Sequence, residues 1–553
     1  MALTVNRMLP GPTIQICKGD KLVIDVVNKV KEIDLTIHWH GIFQQDDQYF
    51  DGVPYLTQCP IHAENKFRYQ FRPGNSGTHF WHAHTGVQKL DGVTGTLVVR
   101  EPAEREPNAH LYDFDLINHV IHISDWMNES GDERFPGRRT GVTGQFPDGV
   151  LINGKGQLSN THGVLSPGAI SVITVDANSR YRFRLINSFC TVCAAQLTIE
   201  GHDLTVIAAD GVAVQPIVVN SINTLPAERF DFVINTNQPP GAYWIQLRAL
   251  GDCAADQIQS LAILQYTNGP STPATPPPSY IGGLNPGAKL NSIETDCNNP
   301  APNEICITQL KSAVPLPSVL LKPKPDLQFY LPIGLHAYSA NEAFRPGTYK
   351  NFLSPAPGVQ VATTIDGISY ATPPSPPISQ LEDLPPSQFC DSSNLPRNCT
   401  DKCECTHVIK VPLGAVVEFI LIDQFGVPDI YHPFHLHGYA FSVISMGTPL
   451  GPNTGNNTIL TVDFLKQLQM NNQIRKNLKN PPAKDVIAVP NNGYAIFRFH
   501  ATNPGYWMLH CHFVYHQLVG MALVVQVGEQ RDLPPVPKDF PKCGNYLPSF
   551  KLV

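Results

Sequence analysis

Three stretches of this chain are variants of one pattern, and each begins at a glycine. They read "GTHFWHAHTG" from Gly77, "GAYWIQLRAL" from Gly241 and "GYWMLHCHFV" from Gly505. Five residues past each glycine lies a three-residue slot, filled by His82-Ala83-His84, Gln246-Leu247-Arg248 and His510-Cys511-His512. An upstream segment repeats with it. "LTIHWHG" carries His38 and His40, "HPFHLHG" carries His435 and His437, and "LTIEGHD" keeps neither histidine at those positions. Self-similarity at this spacing marks a repeated structural unit. The chain therefore reads as three copies of one domain, of which the first and third share a set of side chains that the second lacks.

The unit is all-β. Runs such as "KLVIDVV", "TGTLVVR", "AIFRF" and "MALVVQV" are short, rich in β-branched residues and bounded by Gly, Pro or Asn, which is strand punctuation and points to sandwiches. Helical candidates are short, "FLKQLQMNNQIRKNLKN" among them. A length of 553 residues suits three domains. The repeat places them at 1–105, 106–270 and 401–553, with the proline-crowded stretch 271–400 as a loop-rich connection leading into the third. The opening "MALTVNRMLPGPTIQICKGD" already reads as strand and turn, so a leader is expected to have been removed. The net charge of -7, without basic runs, argues against nucleic acid or an anionic membrane surface as partner. No apolar run reaches membrane-spanning length.

Four His-x-His pairs stand out: 38/40, 82/84, 435/437 and 510/512. On a strand, residues i and i+2 face the same side, so each pair aims two imidazoles in one direction. Eight imidazoles from the first and third domains could meet at their interface, and imidazole suits copper, zinc, iron and nickel. Cys511, between His510 and His512, must face the other way. Cys511, His516 and Met521 follow one another at even spacing, and His432 lies three residues before His435. Two histidines, a cysteine and a weak methionine make the ligand set of a blue-copper electron-transfer site. A lone His-x-His is usually an ordinary strand pair, and a lone buried Cys is usually core. Four pairs, the Cys/His/Met loop and their agreement with the repeat point together to metal chemistry. His119, His122, His202 and His500 are read as ordinary residues.

At these residues the chain resembles the multicopper oxidases, proteins of three consecutive cupredoxin-like Greek-key β-sandwich domains, and the finer resemblance is to arthropod laccases. That finer match rests on "DGVPYLTQCPI" from Asp51, "FCTVC" from Phe189, "ERFDFVIN" from Glu228, "HCHFVYH" from His510 and "DLPPVPKDFPKCGNYLP" near the C-terminus. The resemblance implies four copper ions. His432, Cys511 and His516, with Met521 axial, would hold the type 1 copper. His38 and His435 would hold the type 2 copper. His40, His82 and His512 would hold one type 3 copper, and His84, His437 and His510 the other. It implies one-electron oxidation of a small phenolic or catechol donor near His516 or His432, coupled to reduction of dioxygen to water. Ascorbate oxidation and then ferroxidase activity are the rival readings on the same coppers. A non-catalytic cupredoxin protein is a further alternative, but such relatives lose ligands and this chain keeps all of them.

The resemblance also implies a Cys59–Cys543 bridge between the first and third domains. Cys17 is left to pair with Cys190 or Cys193, a choice the sequence does not make. Thirteen cysteines, with Cys511 given to a metal, leave room for up to six bridges. Together with the sequons at Asn128, Asn398 and Asn456 they point to a secreted chain, expected to act as a monomer. Asp51 matches a family acid near the trinuclear copper site and is the candidate for proton work there. Two positions depart from relatives: Val514, where plant and fungal enzymes carry an acid, and Asn220, aligned with the acid that orients phenols in fungal laccases.

Overall fold

The structure is a computed structural model. It describes residues 2–138, 145–156, 168–281, 283–293, 295–345, 350–396, 399, 402–451 and 458–544, with the backbone of the short strands at 159–160 and 163–164. Sequons Asn398 and Asn456 lie outside the described residues, whereas Asn128 is exposed just past the strand Val120–Trp126.

The repeat in the sequence is a repeat of paired strands. We label β1 (Ile37–His40) and β2 (Gly77–Ala83) in the first copy, β3 (Ala194–Ile199) and β4 (Ala242–Leu250) in the second, and β5 (His432–Leu436) and β6 (Gly505–Cys511) in the third. Each pair is antiparallel. Each lies inside the same four-strand order, which continues through the strand after the slot to a strand paired parallel with it. Those parallel partners are Ile14–Cys17 with Thr94–Arg100, Ser171–Val175 with Gln259–Tyr266, and Cys403–Val411 with Ala522–Val527. A parallel pairing between strands so distant in sequence requires the long return of a Greek key. The second layer is the ribbon Leu22–Val27/Lys66–Phe71 in the first sandwich. In the second it is a sheet containing Arg180–Asn187 and Arg229–Asn235, and in the third one containing Val416–Asp423 and Tyr494–His500. The period-two signal is visible at Ser171–Val175, where Ser171, Ile173 and Val175 are buried and the two residues between them exposed.

Register corrects one alignment. His38 stands opposite His82 and His435 opposite His510, but in the second copy Gln246 stands opposite Thr198, two residues before Glu200. "LTIEGHD" thus matches "LTIHWHG" in letters but not in place. A slip of two keeps every side chain on its face, so the apolar pattern does not reveal it.

The stretch 271–400 does more than connect. Its strand Leu327–Tyr338 pairs in parallel with Val416–Asp423 and antiparallel with Gln360–Ile365, inside the third sandwich's sheet. Pro332 hides this strand in the sequence, because a proline argues against a central strand. Here it sits just before the changeover: pairing to Val416–Asp423 covers Leu327 to Ile333, and pairing to Gln360–Ile365 begins at Ile333. The missing N–H therefore costs no bond on the second side. The helical candidate forms only as Val462–Met470, opened by the Thr461 side chain accepting from the Phe464 N–H.

The first and third sandwiches share a core. Trp39, Tyr69, Phe71 and Leu97 pack in one buried cluster with Tyr506, Met508 and Val524. Gln48 donates to the Tyr506 carbonyl at 2.7 Å and accepts from its N–H at 3.1 Å, and the Cys59–Cys543 disulfide closes the same interface. The second and third sandwiches share the largest cluster, which runs from Ile121 through Phe232 to Phe497 and Val525.

Candidate metal centre

Strands β1 and β2 of the first sandwich face β5 and β6 of the third, and their eight histidines meet between them. All eight are buried. Their ligand atoms form compact groups: His40 with His82 and His512, His84 with His437 and His510, and His38 with His40 and His435, each within 4.8 Å. His437 Nε2 lies 3.2 Å from His510 Nε2, and His82 Nε2 lies 3.4 Å from His40 Nδ1. Burial holds His82, His84, His510 and His512 well below the ordinary histidine range, so the rings are neutral imidazoles, the form that ligates metals.

The far ring nitrogens show how the cluster is built. His38 Nδ1 meets the Asp51 carbonyl at 2.8 Å, His435 Nδ1 the Asp485 carbonyl at 2.8 Å, and His82 and His510 the carbonyls of Ala83 and Cys511 at 2.9 Å. An acceptor at Nδ1 holds the ring proton there and leaves Nε2 to face the cluster. His437 Nδ1 meets the Asp51 carboxylate at 2.8 Å. His40 is reversed: its Nε2 meets Asp485 at 3.3 Å, so Nδ1 faces the cluster. Asp51 thus supports two histidines at once. Burial would raise its carboxyl, but His437 and His38 hold it well below the usual carboxylate range.

The position of Asp51 depends on Gly52, whose φ is +85° and where a Cβ would stand 1.9 Å from the Ile37 carbonyl oxygen. Gly52→Ala therefore pushes the Asp51 turn off β1. The left-handed backbone alone costs about 1–2 kcal/mol, and the clash adds to it. We expect a lowered unfolding midpoint together with weaker metal retention, read by denaturant titration and by chelator challenge. A variant equal to the parent in both would remove Gly52 from the account.

On the opposite face of β6 the remaining residues gather. Cys511 and Met521 are fully buried. A short helix, α1 (Val514–Leu518), carries His516, and the loop closes because the Met521 N–H donates to the His516 carbonyl and the Cys511 N–H to the Met521 carbonyl, both at 3.0 Å. Cys511 Sγ is 4.0 Å from His516 Nδ1, and the rings of His432 and His516 lie 5.3 Å apart. Phe425 packs on both rings, at 4.7 and 5.2 Å between centroids. Burial lowers His516 to about 3 and pushes the Cys511 thiol well up, so the thiol gives up its proton only when a metal takes the sulfur.

The donor set fits copper on an observation internal to the structure. His38 Nε2, His435 Nε2, His512 Nε2 and both ring nitrogens of His84 and His432 are buried without a hydrogen-bond partner. Leaving such groups unsatisfied costs about 1–3 kcal/mol each, and metal coordination removes the cost. The slots of the second sandwich make the contrast. Gln246 donates to Gln259 at 2.7 Å and to the Ser279 carbonyl at 3.0 Å, and Arg248 donates to Gln196 and to the Tyr280 carbonyl. Those side chains bond one another and the backbone, with Arg248 Nε left over. Each histidine read as ordinary has at least one polar contact: His119, His202 and His500 bond the Thr174 carbonyl, the Tyr266 hydroxyl and the Gly414 carbonyl, and His122 lies 3.4 Å from the Thr94 hydroxyl.

Models of the multicopper oxidase family match residues 1–104, 118–269 and 371–531. The chain belongs to the multicopper oxidase family. Laccase-1 of Fomitopsis schrenkii is 31% identical over 565 residues, covering 99% of this oxidase and 86% of that protein. Laccase-3 of Thanatephorus cucumeris is 30% identical, covering 95% and 86%. Among solved structures, the laccase of Botrytis aclada superposes with a TM-score of 0.70 at 25% identity, covering 97% and 85% of the two chains. Fet3p, a multicopper oxidase that functions in iron import, superposes with a TM-score of 0.71 at 21% identity, covering 96% and 88%, a likeness of fold alone. This oxidase is a laccase-type, copper-dependent oxidoreductase with four coppers (one type 1, one type 2 and a type 3 pair) and dioxygen as acceptor.

Two expectations need correction. Cys17 pairs with neither candidate: it is free and exposed, Cys190 is free and buried, and Cys193 bonds Cys253. The pairing of Ala194 with Leu250 brings Cys193 beside the turn that holds Cys253. With Cys297–Cys306, Cys390–Cys405 and Cys399–Cys403, the described residues form five bridges, within the limit of six that the cysteine count set. Asn220 is bound up in the second sandwich, donating to Asp203 at 2.8 Å and accepting from the Ala288 N–H at 2.8 Å. Parts of that domain that touch α1 are instead Cys190, whose carbonyl accepts from the Val514 N–H at 2.9 Å, and Gly131, whose carbonyl accepts from the Tyr515 hydroxyl at 2.8 Å.

Sequence reasoning missed three charged residues around the histidines. Asp485 backs His40 and His435, Arg229 grips Asp485 with two bonds of 2.6 Å, and Lys89 reaches His512. Arg229 stands in the quoted "ERFDFVIN", but nothing in that string says which element it meets.

Proposed function

We propose that this oxidase withdraws single electrons from a diphenol or catechol at a type 1 copper that His432, Cys511, His516 and Met521 would hold, and uses them at the histidine cluster to reduce dioxygen. Under this reading His38 and His435 hold the type 2 copper, and His40, His82 and His512 with His84, His437 and His510 hold the type 3 pair. The observation that carries it is the placing of Cys511 between His510 and His512 on one strand, with its side chain on the other face. One stretch of backbone thus joins the donor side to the oxygen side.

When bound, copper supplies the one-electron steps and the reducing power for oxygen. The chain does the rest. Met521, the burial of Cys511 and the bonds around its sulfur set the potential of the donor site. Phe425 covers the two type 1 rings and excludes water from them. Asp51 holds the Nδ1 proton of His437 and is placed to pass protons toward the cluster. The separation of the two sites keeps partly reduced oxygen away from an organic radical.

Within the family we place the chain with the arthropod laccases, on the motifs from Asp51 and Phe189 and on the C-terminal segment. Five bridges support a secreted protein, and no helix among the described residues is long and apolar enough to cross a membrane. For the domains we propose limits of 1–105 and 106–270, with the third unit drawing strands from 271–400 as well as 401–553.

Oxygen uptake by copper-loaded protein tests the donor, with a catechol, ascorbate and ferrous iron compared at equal concentration. We expect the catechol to be fastest by at least about tenfold, a difference of 1.4 kcal/mol in barrier. Fastest uptake with ascorbate or iron would keep the copper chemistry and overturn the donor.

A further inference from the structure

Seven of the eight clustered histidines have one of two environments at the ring nitrogen away from their group. Six meet a carbonyl or carboxylate oxygen, and His84 meets no partner. His512 is different. Its Nδ1 lies 3.2 Å from Lys89 Nζ. Lys89 is 4% exposed, an unusual place for a lysine. Its Nζ donates to the Phe189 carbonyl at 2.9 Å, and it stands 5.7 Å from the centroid of Phe80. Phe80 in turn stacks on His40 at 4.5 Å and lies 5.0 Å from His82. Lys89 therefore touches or backs all three histidines of one type 3 group. It joins them to the backbone of the second sandwich, the domain that supplies no ligand.

We propose that Lys89 is a positioning residue for the type 3 copper held by His40, His82 and His512. One hydrogen bond joins Nζ to His512 Nδ1; with the Nδ1 hydrogen donated to the lysine nitrogen, the orphaned Nε2 faces the group with its lone pair free to ligate. The bond to Phe189 anchors the lysine in turn. A ring held from behind loses less freedom on binding metal, which is why partners of this kind govern affinity as well as orientation. The second sandwich thereby braces the cluster through Lys89 without ligating it. A bland alternative is that Lys89 merely fills space over Phe80, and the test separates the two.

The proposal rests on the copper assignment above, and the experiment keeps the two apart. Copper-loaded parent, Lys89→Met, Lys89→Gln and Lys89→Arg are exposed to a graded copper chelator. Copper content is followed together with the blue absorbance of the type 1 site and the near-ultraviolet absorbance of the coupled pair. Methionine keeps the length and bulk but cannot hydrogen-bond, glutamine can accept from the His512 Nδ1–H through its amide oxygen, and arginine can only donate. We expect Lys89→Met to release the pair at about 10–100-fold lower chelator concentration, the usual cost of losing such a partner. Its blue absorbance should be unchanged, with glutamine recovering part of the loss and arginine none of it. Equal release from parent and Lys89→Met, which a space-filling role predicts, would overturn the proposal, as would equal loss from all three variants. Should Lys89→Met fail to fold, Lys89→Gln against Lys89→Arg still ranks the variants by bond geometry. A parent that takes up no coupled pair would sink the copper assignment instead.

Discussion

Cys511→Ser is expected to abolish donor oxidation and the blue colour while leaving a folded protein that still takes copper at the histidine cluster. The loss should exceed the roughly 100-fold that removal of a supporting partner causes, because here the soft ligand itself is gone. Serine oxygen is a hard, weakly acidic donor and does not replace a thiolate. The fold should persist because the structural work at 511 is done by the backbone. Its N–H donates to Met521, and Phe434 pairs with it across β5. A buried hydroxyl without a partner costs about 1–3 kcal/mol, which lowers stability without unfolding a chain of this size. Visible absorbance, copper content and oxygen uptake check the prediction on one sample. Oxidase activity equal to the parent would sink the mechanism, since the link between donor and oxygen sites runs through this residue.

The clustering of the candidate ligands was legible because strand geometry translates sequence spacing directly into facing. A residue two places on must look the same way and a residue one place on the opposite way, so "HCH" divides its three side chains between two sites. The repeat then said which strands were equivalent. Other features depend on contacts between distant strands, and no local pattern encodes those. Asp485 and Arg229 meet across 256 residues of chain, and Lys89 meets His512 across 423. The Cys17 pairing failed for the same reason, since proximity at a domain edge has no periodic signature. The two-residue misplacement at "LTIEGHD" failed differently: the periodicity was right, and periodicity is blind to that shift.

Val514 shows how a departure from relatives is absorbed. The residue is buried in a small cluster with Val87, Leu90, Met127, Cys190, Tyr515 and Val519. A carboxylate there would face apolar and sulfur-bearing groups and would pay heavily for its charge. The acids that do reach the histidines, Asp51 and Asp485, are each held by bonds to those histidines or by a cation.

The Arg229–Asp485 pair is the deepest of these supports, and Arg229→Met is expected to cost about 3–5 kcal/mol of stability in copper-free protein, the usual result of stranding one partner of a buried ion pair. Arg229 is fully buried and holds Asp485 with two bonds of 2.6 Å. It also donates to the carbonyls of Thr78 and Ala227 at 3.1 Å, which lose those donors in the variant. Nearby, Lys484 lies 2.9 Å from Asp210 and 3.3 Å from Glu228, so removing the arginine leaves three buried carboxylates around one cation. Asp485 would then shift or take up a proton, and its contacts with His40 and His435 would loosen. Copper retention at those histidines should fall by about 10–100-fold. A paired substitution separates the two effects. Arg229→Met with Asp485→Leu removes both charges, and replacing a whole buried pair by apolar side chains is often neutral or stabilising. Stability should therefore recover in the double variant while copper retention stays low, because no carboxylate then stands behind His40. Denaturant midpoints of the copper-free proteins and chelator titrations of the loaded ones read the two quantities independently. Recovery of both would mean that Asp485 serves only to neutralise Arg229. Loss of both would mean that the pair is needed for folding and that its place behind the histidines is incidental.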